Sequence, residues 1–222
     1  MHPSVNLRNG PVRVGSAPMT LAGDLCVPGK PRALVIFAHG SCGNRGGPRD
    51  GVLSSALFAR GIATLRFDML TAYEEEAGNG SQQLRFDHSL LAGRLVDAVD
   101  WVRSSSRASE WRIGLMGSST GAAAAFIAAA RRPDVVGAVV SRGGRTDLAT
   151  QLLGQVTSPT LLIVGESDGV TLEHNKLART QLAAPVKRLD VIPGAGHEFD
   201  EPGALAAVAA LSADWFIEHL DG

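Results

Sequence analysis

The sequence predicts a doubly wound α/β fold, in which helices cover both faces of a mostly parallel sheet. From Ala33 onward, short apolar runs alternate six times with longer segments of helical periodicity. The apolar runs lack the every-second polar residue of a half-exposed strand, which indicates strands that are buried on both faces. The chain has 222 residues, of which 45% are apolar and 19% charged, and we expect one domain over residues 1–222.

The individual elements follow from local signals. Two short apolar stretches, interrupted by Gly15 and Pro18, predict an antiparallel strand pair at one edge of the sheet. The helix over 86–103 has its apolar residues at three- and four-residue spacings, so that one stripe faces the core. The predicted strands are residues 12–14, 21–27, 33–40, 62–68, 112–117, 136–141, 160–165 and 187–192. The predicted helices are residues 51–60, 86–103, 121–131, 148–156, 172–182 and 202–219.

A polar segment of about 17 residues separates Asp68 from Phe86. Its composition predicts a flexible rim or flap after a strand, and it is too short for a large cap domain. Asn79 begins an Asn-Gly-Ser sequon within it, which we interpret as a turn.

Composition excludes several classes of function. The formal net charge of −1 argues against binding to nucleic acid or to an anionic membrane. No run of 18 apolar residues is present, and the first residues lack the pattern of a signal peptide, so we expect a cytoplasmic protein. Cys26 and Cys42 form no CxxC pair, and HExxH, GxxxxGK[ST] and GxGxxG motifs are absent, which predicts free thiols, no metal and no cofactor.

The strongest motif is the GxSxG pattern at Gly117 to Gly121, which lies between a predicted strand and a predicted helix. This is the setting of a nucleophile elbow, where a serine on a strained turn needs small residues two positions before and after it. The alanines at 122–125 allow the following helix to pack closely and to direct its N-terminal N–H groups at Ser119. The competing interpretation is a simple turn before an alanine-rich helix.

Serine is a weak nucleophile unless a histidine accepts its proton and a carboxylate orients that histidine. Asp168 follows the strand over 160–165, and His197 lies in a flexible, glycine-flanked loop after the strand over 187–192. The order Ser119, Asp168, His197 is that of the α/β-hydrolases. Glu166 is the alternative carboxylate. His39 ends a strand, and we assign it a structural role.

Acyl transfer also requires two N–H donors for the oxyanion of the tetrahedral intermediate. One should be the backbone N–H of Thr120, directly after the candidate nucleophile. The other should come from the loop after the strand over 33–40, where we choose the Ser41 N–H and keep Cys42 as the alternative.

Three side chains are candidates for contact with the substrate: Cys42, Arg142 and Arg145. Both arginines follow the strand over 136–141, and they could bind a carboxylate of an acidic substrate. The alternative is a local ion pair, for which Asp147 is a partner. Cys42 is either a contact of this kind or a small side chain that fills space.

Five segments together resemble the dienelactone hydrolase-like branch of the α/β-hydrolases: HGSCGNRGGP, GLMGSSTGAAAA, SRGGRTD, LLIVGESD and PGAGHEFDEPGAL. The resemblance extends from about Val12 to His219. It implies the α/β-hydrolase fold without a large cap, and hydrolysis of an ester or lactone without a cofactor. Named dienelactone hydrolases carry cysteine at the elbow, whereas this chain has Ser119, so their particular substrate is not carried over.

The leading hypothesis is a serine hydrolase that acts on a small carboxylic ester, lactone or thioester. Because the reaction requires neutral His197, we expect its rate to fall in acid. One alternative is an amide or peptide hydrolase with the same triad. The other is a non-catalytic protein that binds a small molecule in an α/β-hydrolase fold, although such proteins have usually lost a member of the triad. The sequence does not define the oligomeric state.

Overall fold

A computed structural model describes residues 9–16, 18–77, 79–105 and 108–220 of the chain. The strands are β1 (Gly10–Ser16), β2 (Met19–Cys26), β3 (Ala33–Ala38), β4 (Ala63–Phe67), β5 (Arg112–Ser118), β6 (Val136–Arg142), β7 (Thr160–Gly165) and β8 (Lys187–Ile192). The helices are α1 (Pro48–Ala59), α2 (Ala72–Glu75), α3 (Asn79–Phe86), α4 (His88–Arg103), α5 (Thr120–Arg131), α6 (Gly169–Gln181) and α7 (Ala204–Leu220). A 3₁₀ segment covers Thr146–Gln155.

The described strands form one eight-stranded sheet in the order β1-β2-β4-β3-β5-β6-β7-β8. The β1 and β2 strands are antiparallel to each other, and β2 is antiparallel to β4. All pairs from β4 to β8 are parallel. The prediction of a mostly parallel sheet with an antiparallel N-terminal pair is therefore confirmed.

The sheet separates two apolar clusters, one on each face. In β3, Leu34 and Ile36 join the cluster under α4 and α5, whereas Val35 and Phe37 join the cluster under α1 and α7. Successive side chains of a strand point to opposite faces, so a strand between two helical layers must be apolar throughout. This explains the unbroken apolar runs. Within the described part of the chain, no helix has both the length and the apolar character that a membrane span requires.

Two glycines let α7 lie against the sheet at the beginnings of β5 and β6. A Cβ atom on Gly114 would lie 2.6 Å from the Phe216 ring, and one on Gly137 would lie 2.8 Å from the Leu220 side chain. Because real Cβ atoms essentially never approach other atoms so closely, a larger residue at either position would require the side chains of α7 to shift.

Two predictions of local structure are wrong. Asn79, predicted to lie in a turn, begins α3, and the predicted helix over 148–156 is the 3₁₀ segment. The polar segment expected to be a flexible rim or flap contains the two helices α2 and α3. The α2 helix is short and begins with a capping box, in which Thr71 and Glu74 satisfy each other's backbone N–H groups.

Candidate active site

Ser119 lies at the turn between β5 and α5 with φ of 50° and ψ of −122°, which is strained for a residue with a side chain. The neighbouring chain leaves no room for larger residues beside it. A Cβ atom on Gly117 would lie 2.4 Å from Ala122 Cα, and one on Gly121 would lie 2.1 Å from the carbonyl oxygen of Ala38. The GxSxG spacing therefore has the steric cause that an elbow requires.

The segment after β6 holds the elbow in place through the backbone. The Ser119 N–H donates to the carbonyl of Arg142 at 3.2 Å, and the Ser119 carbonyl accepts from the Arg145 N–H at 3.0 Å. Asn175, which is fully buried on α6, donates to the Gly144 carbonyl at 2.8 Å and so supports this segment. Both arginines thus contribute to the site through their main chains, a role that sequence reasoning missed.

His197 and Asp168 form the hydrogen-bonded pair that the sequence predicts. The distance from His197 Nδ1 to Asp168 Oδ2 is 2.6 Å. When Nδ1–H donates to the carboxylate, the lone pair of Nε2 is available as a base. Glu166 instead accepts the Gly194 N–H at 2.7 Å, which directs its carboxylate to the loop backbone.

The loop that carries His197 is anchored rather than flexible. Phe199 has a positive φ of 58° and is 1% exposed, so its ring ties the loop to the core. Arg49 of α1 pairs with Glu198 at 3.0 Å and with Asp200 at 2.9 Å. These contacts are made by the three residues that follow the histidine, and they restrict where its ring can lie.

Ser119 and His197 line the same cavity of about 380 Å³. No hydrogen bond joins Ser119 Oγ to His197 among the described residues. The other lining residues are His39, Gly40, Ser41, Cys42, Gly43, Asn44, Gly47, Pro48, Arg49, Asp50, Ser118, Arg142 and Glu198.

The loop after β3 lies directly against the elbow. A Cβ atom on Gly40 would be 3.1 Å from Ser119 Cβ. Thr120 occupies the first turn of α5, where backbone N–H groups have no acceptor within the helix. The Ser41 N–H, however, already donates to Thr120 Oγ1 at 2.8 Å. The donor that the sequence favoured is therefore engaged within the protein.

The structure separates the two candidate arginines. Arg142 lines the cavity, is 8% exposed and faces Asp50, with 3.4 Å between Nη2 and Oδ1. Burial lowers the pKa of Arg142 and raises the pKa of Asp50. Arg145 does not line the cavity, and it pairs with Asp147 through two hydrogen bonds of 2.9 and 2.7 Å. The local ion pair considered from the sequence is thus the arrangement that the structure shows for Arg145.

His39 lines the cavity but both of its ring nitrogens are engaged. Nε2 accepts the Met69 N–H at 3.2 Å, which leaves the proton on Nδ1, and Nδ1 lies 3.0 Å from the Gly40 carbonyl. This arrangement supports the loop and fits the structural role that we assign to His39.

Arg85 of α3 is a contact of the site that sequence reasoning missed. Its Nη1 donates to the Ser41 carbonyl at 2.8 Å, and its Nη2 pairs with Glu75. The contact spans 44 positions of sequence and is made to a backbone atom. No local motif signals such a contact. Among the described residues, no group of three or more His, Cys, Asp or Glu side chains could hold a metal ion.

Residues 52–217 match the dienelactone hydrolase family. The chain is similar to the crystal structure of a dienelactone hydrolase from Anabaena variabilis, with 46% identity and a TM-score of 0.93 over 96% of this chain and 98% of that one. It is similar in fold to Est1E from Butyrivibrio proteoclasticus, with 17% identity and a TM-score of 0.81 over 96% of this chain and all of that one.

A longer protein from Mycobacterium tuberculosis is 48% identical over 217 residues, which are 97% of this chain and 48% of that protein. It is provisionally named a phosphoribosyl transferase. The chain thus spans about half the length of the curated relatives that it matches most extensively. The family match covers most of the chain and agrees with the fold and with the elbow. The chain therefore belongs to the dienelactone hydrolase family, whose members have the α/β-hydrolase fold.

Proposed function

We propose that this protein is a serine hydrolase that cleaves a small carboxylic ester, lactone or thioester through an acyl-enzyme. The observation that carries the proposal is the 2.6 Å bond between His197 and Asp168, beside a cavity that also holds Ser119 on its strained turn. A nucleophile, an orienting carboxylate and a base would then come from the carboxyl ends of three strands of one sheet, β5, β7 and β8.

In this mechanism, His197 Nε2 accepts the Ser119 proton as Oγ attacks the acyl carbon of the substrate. The Asp168 carboxylate keeps the His197 proton on Nδ1 and stabilises the imidazolium that forms. The Thr120 N–H donates to the oxyanion, together with a second N–H from the loop after β3. Protonated His197 then gives its proton to the leaving alcohol or thiol. In the second half of the reaction, His197 accepts a proton from water as the water attacks the acyl-enzyme, and it returns this proton to Ser119 Oγ as the acid product leaves.

Cavity size and lining favour a small substrate. A cavity of about 380 Å³ lies near the lower end of the range for small-molecule sites. Its wall includes Arg49, Arg142, Asp50 and Glu198, so positive and negative side chains balance. This lining favours a compact polar ester over a long acyl chain, which would require a continuous apolar surface.

Two other functions are weaker. An amide hydrolase would use the same triad but would need a groove for a longer chain. A phosphoribosyl transfer activity is suggested only by the name of the M. tuberculosis relative, and the present chain matches 48% of that protein. A transferase activity there can belong to the part that this chain does not match.

The proposal is tested with a fluorophosphonate probe, which reacts with activated serines and requires no choice of substrate. Intact mass and peptide mapping should show a single adduct on Ser119 in the wild type and none in Ser119→Ala. Turnover of short-chain p-nitrophenyl esters should disappear in the same variant. Folded wild-type protein without an adduct or turnover would contradict the proposal and favour a binding function.

A further inference from the structure

Arg85, on α3, connects α2 to the loop after β3, which lies against Ser119. It donates to the Ser41 carbonyl from α3 and pairs with Glu75 at the end of α2. Arg85 lines a second cavity, of about 460 Å³. Asn44, in the loop after β3, is the only described residue common to the linings of the two cavities.

The Ser41 carbonyl and the Cys42 N–H belong to one peptide group. In a trans peptide these two groups point in opposite directions. Arg85 holds the carbonyl on its own side of the loop, so the Cys42 N–H points away from Arg85. A Gly43 N–H to Gly40 carbonyl bond of 2.9 Å makes this peptide the central one of a β-turn. Type I and type II turns differ in the orientation of that peptide, so the contact with Arg85 selects one of the two orientations.

The hydrogen bonds of the loop distinguish the two candidate donors. The Ser41 N–H is bound to Thr120 Oγ1, whereas the Cys42 N–H has no acceptor in the described part of the chain. Cys42 also lines the cavity together with Ser119. A free, fixed N–H beside the nucleophile is what an oxyanion site requires.

We propose that Arg85 is a positioning residue, which orients the Ser41–Cys42 peptide so that the Cys42 N–H is the second oxyanion donor. This inference rests on the proposed hydrolase function and deepens it. Arg85 acts only through the peptide and does not touch the substrate. Its loss should therefore weaken binding of the transition state without weakening binding of the ester.

The first experiment compares Arg85→Met with Arg85→Lys. Methionine keeps an apolar stem but has no donor, whereas lysine keeps a donor for the Ser41 carbonyl. Removal of one oxyanion donor lowers kcat by about 10²- to 10³-fold, and a misaligned donor should cost less. We expect Arg85→Met to lower kcat about 10- to 100-fold with KM within about threefold, and Arg85→Lys to retain at least about five times more activity. Arg60→Met, which breaks a surface pair with Asp214, is the control.

If Arg85→Met had the kcat of the wild type, or if the substitution changed only KM, the inference would be overturned. A second comparison, Ser41→Pro/Thr120→Ala with Thr120→Ala alone, tests the donor directly and does not depend on the folding of the Arg85 variants. Proline is favoured at this position of a turn and removes the Ser41 N–H, and alanine at position 120 makes room for its ring beside the former hydroxyl. We expect the added proline to lower kcat less than about tenfold, whereas a larger loss in folded protein would return the role to Ser41. Labelling of wild-type Ser119 by the fluorophosphonate probe tests the hydrolase function separately. Failure of the role of Arg85 can therefore be distinguished from failure of the proposed hydrolase function.

Discussion

At the scale of single residues, the candidate nucleophile depends on the glycines around it. The end of β3 and the start of α5 pass where side chains at Gly117 and Gly121 would lie, so the strained turn at Ser119 requires glycine at both positions. The sequence predicts this because the spacing of small residues is local. It does not predict that the Ser41 N–H is occupied, because the Thr120 hydroxyl that binds it comes from a different element.

Gly121→Ala tests this steric requirement. Its Cβ would lie 2.1 Å from a backbone oxygen, so we expect a loss of about 2 to 3 kcal/mol in the free energy of unfolding, together with loss of esterase activity. The control is Gly93→Ala in α4, where a Cβ meets nothing within 4 Å. That variant should gain about 0.5 to 1 kcal/mol and keep its activity. Equal stability of the two variants in urea titrations would contradict the explanation.

The choice between Asp168 and Glu166 is tested by Asp168→Asn and Glu166→Gln. The first substitution removes the carboxylate that holds the His197 tautomer, and we expect kcat to fall about 10³- to 10⁴-fold. The second alters a carboxylate that contacts the Gly194 backbone, and kcat should stay within about threefold of the wild type. Ester turnover at neutral pH measures both. A larger loss in Glu166→Gln would reverse the assignment.

At the scale of elements, the sequence predicts the long strands and helices well but not α2 and α3. Periodicity identifies α4 because its buried stripe repeats over several turns. The α2 and α3 helices are short and polar, and α2 is held by arginines of other helices: Arg94 of α4 binds Glu74, and Arg85 of α3 binds Glu75. Such contacts are formed only after the chain has folded, so local composition indicates a loop.

The Glu74–Arg94 contact should make stability depend on pH in acid. Burial opposes ionisation of Glu74, but hydrogen bonds from Arg94 and Thr71 outweigh it and lower the pKa of Glu74 from 4.5 to about 2. A depressed carboxyl pKa adds stability above the unfolded value of about 4.5, and that stability is lost as the pH falls toward about 2. Glu74→Gln should therefore be less stable than the wild type at neutral pH, with a difference that shrinks across this range.

Urea titrations at several pH values measure this difference. The control is Glu173→Gln, which affects an exposed pair with Lys176 and should change stability by less than about 0.5 kcal/mol. A difference between wild type and Glu74→Gln that stays constant down to pH 2 would show that the contact acts by packing and not by charge.

At the scale of the whole molecule, the candidate site lies at the carboxyl ends of the parallel strands. Residues after β3, β5, β6, β7 and β8 meet there because the carboxyl ends of parallel strands lie together. The alternation of strands and helices predicts this convergence. It does not predict that β4 lies between β2 and β3, because the order of strands depends on pairings between distant parts of the chain.

The single-domain prediction has a direct test in the three tryptophans. Trp101 and Trp111 lie in the cluster on one face of the sheet, and Trp215 lies in the cluster on the other. If both clusters belong to one cooperative unit, Trp215→Phe and the double variant Trp101→Phe/Trp111→Phe should each give a fluorescence midpoint equal to that from circular dichroism of the same variant. Separate midpoints within one variant would indicate two folding units.

The glycines under α7 also determine where additional chain can be attached. Leu220 contacts Gly114 and Gly137 near the beginnings of β5 and β6. Gly114 lies five positions before Ser119, which is about 16 Å along an extended strand. A polypeptide continued beyond Leu220 thus starts near the edge of the sheet opposite the cavity. Fusion partners and purification tags placed there can leave the entrance open.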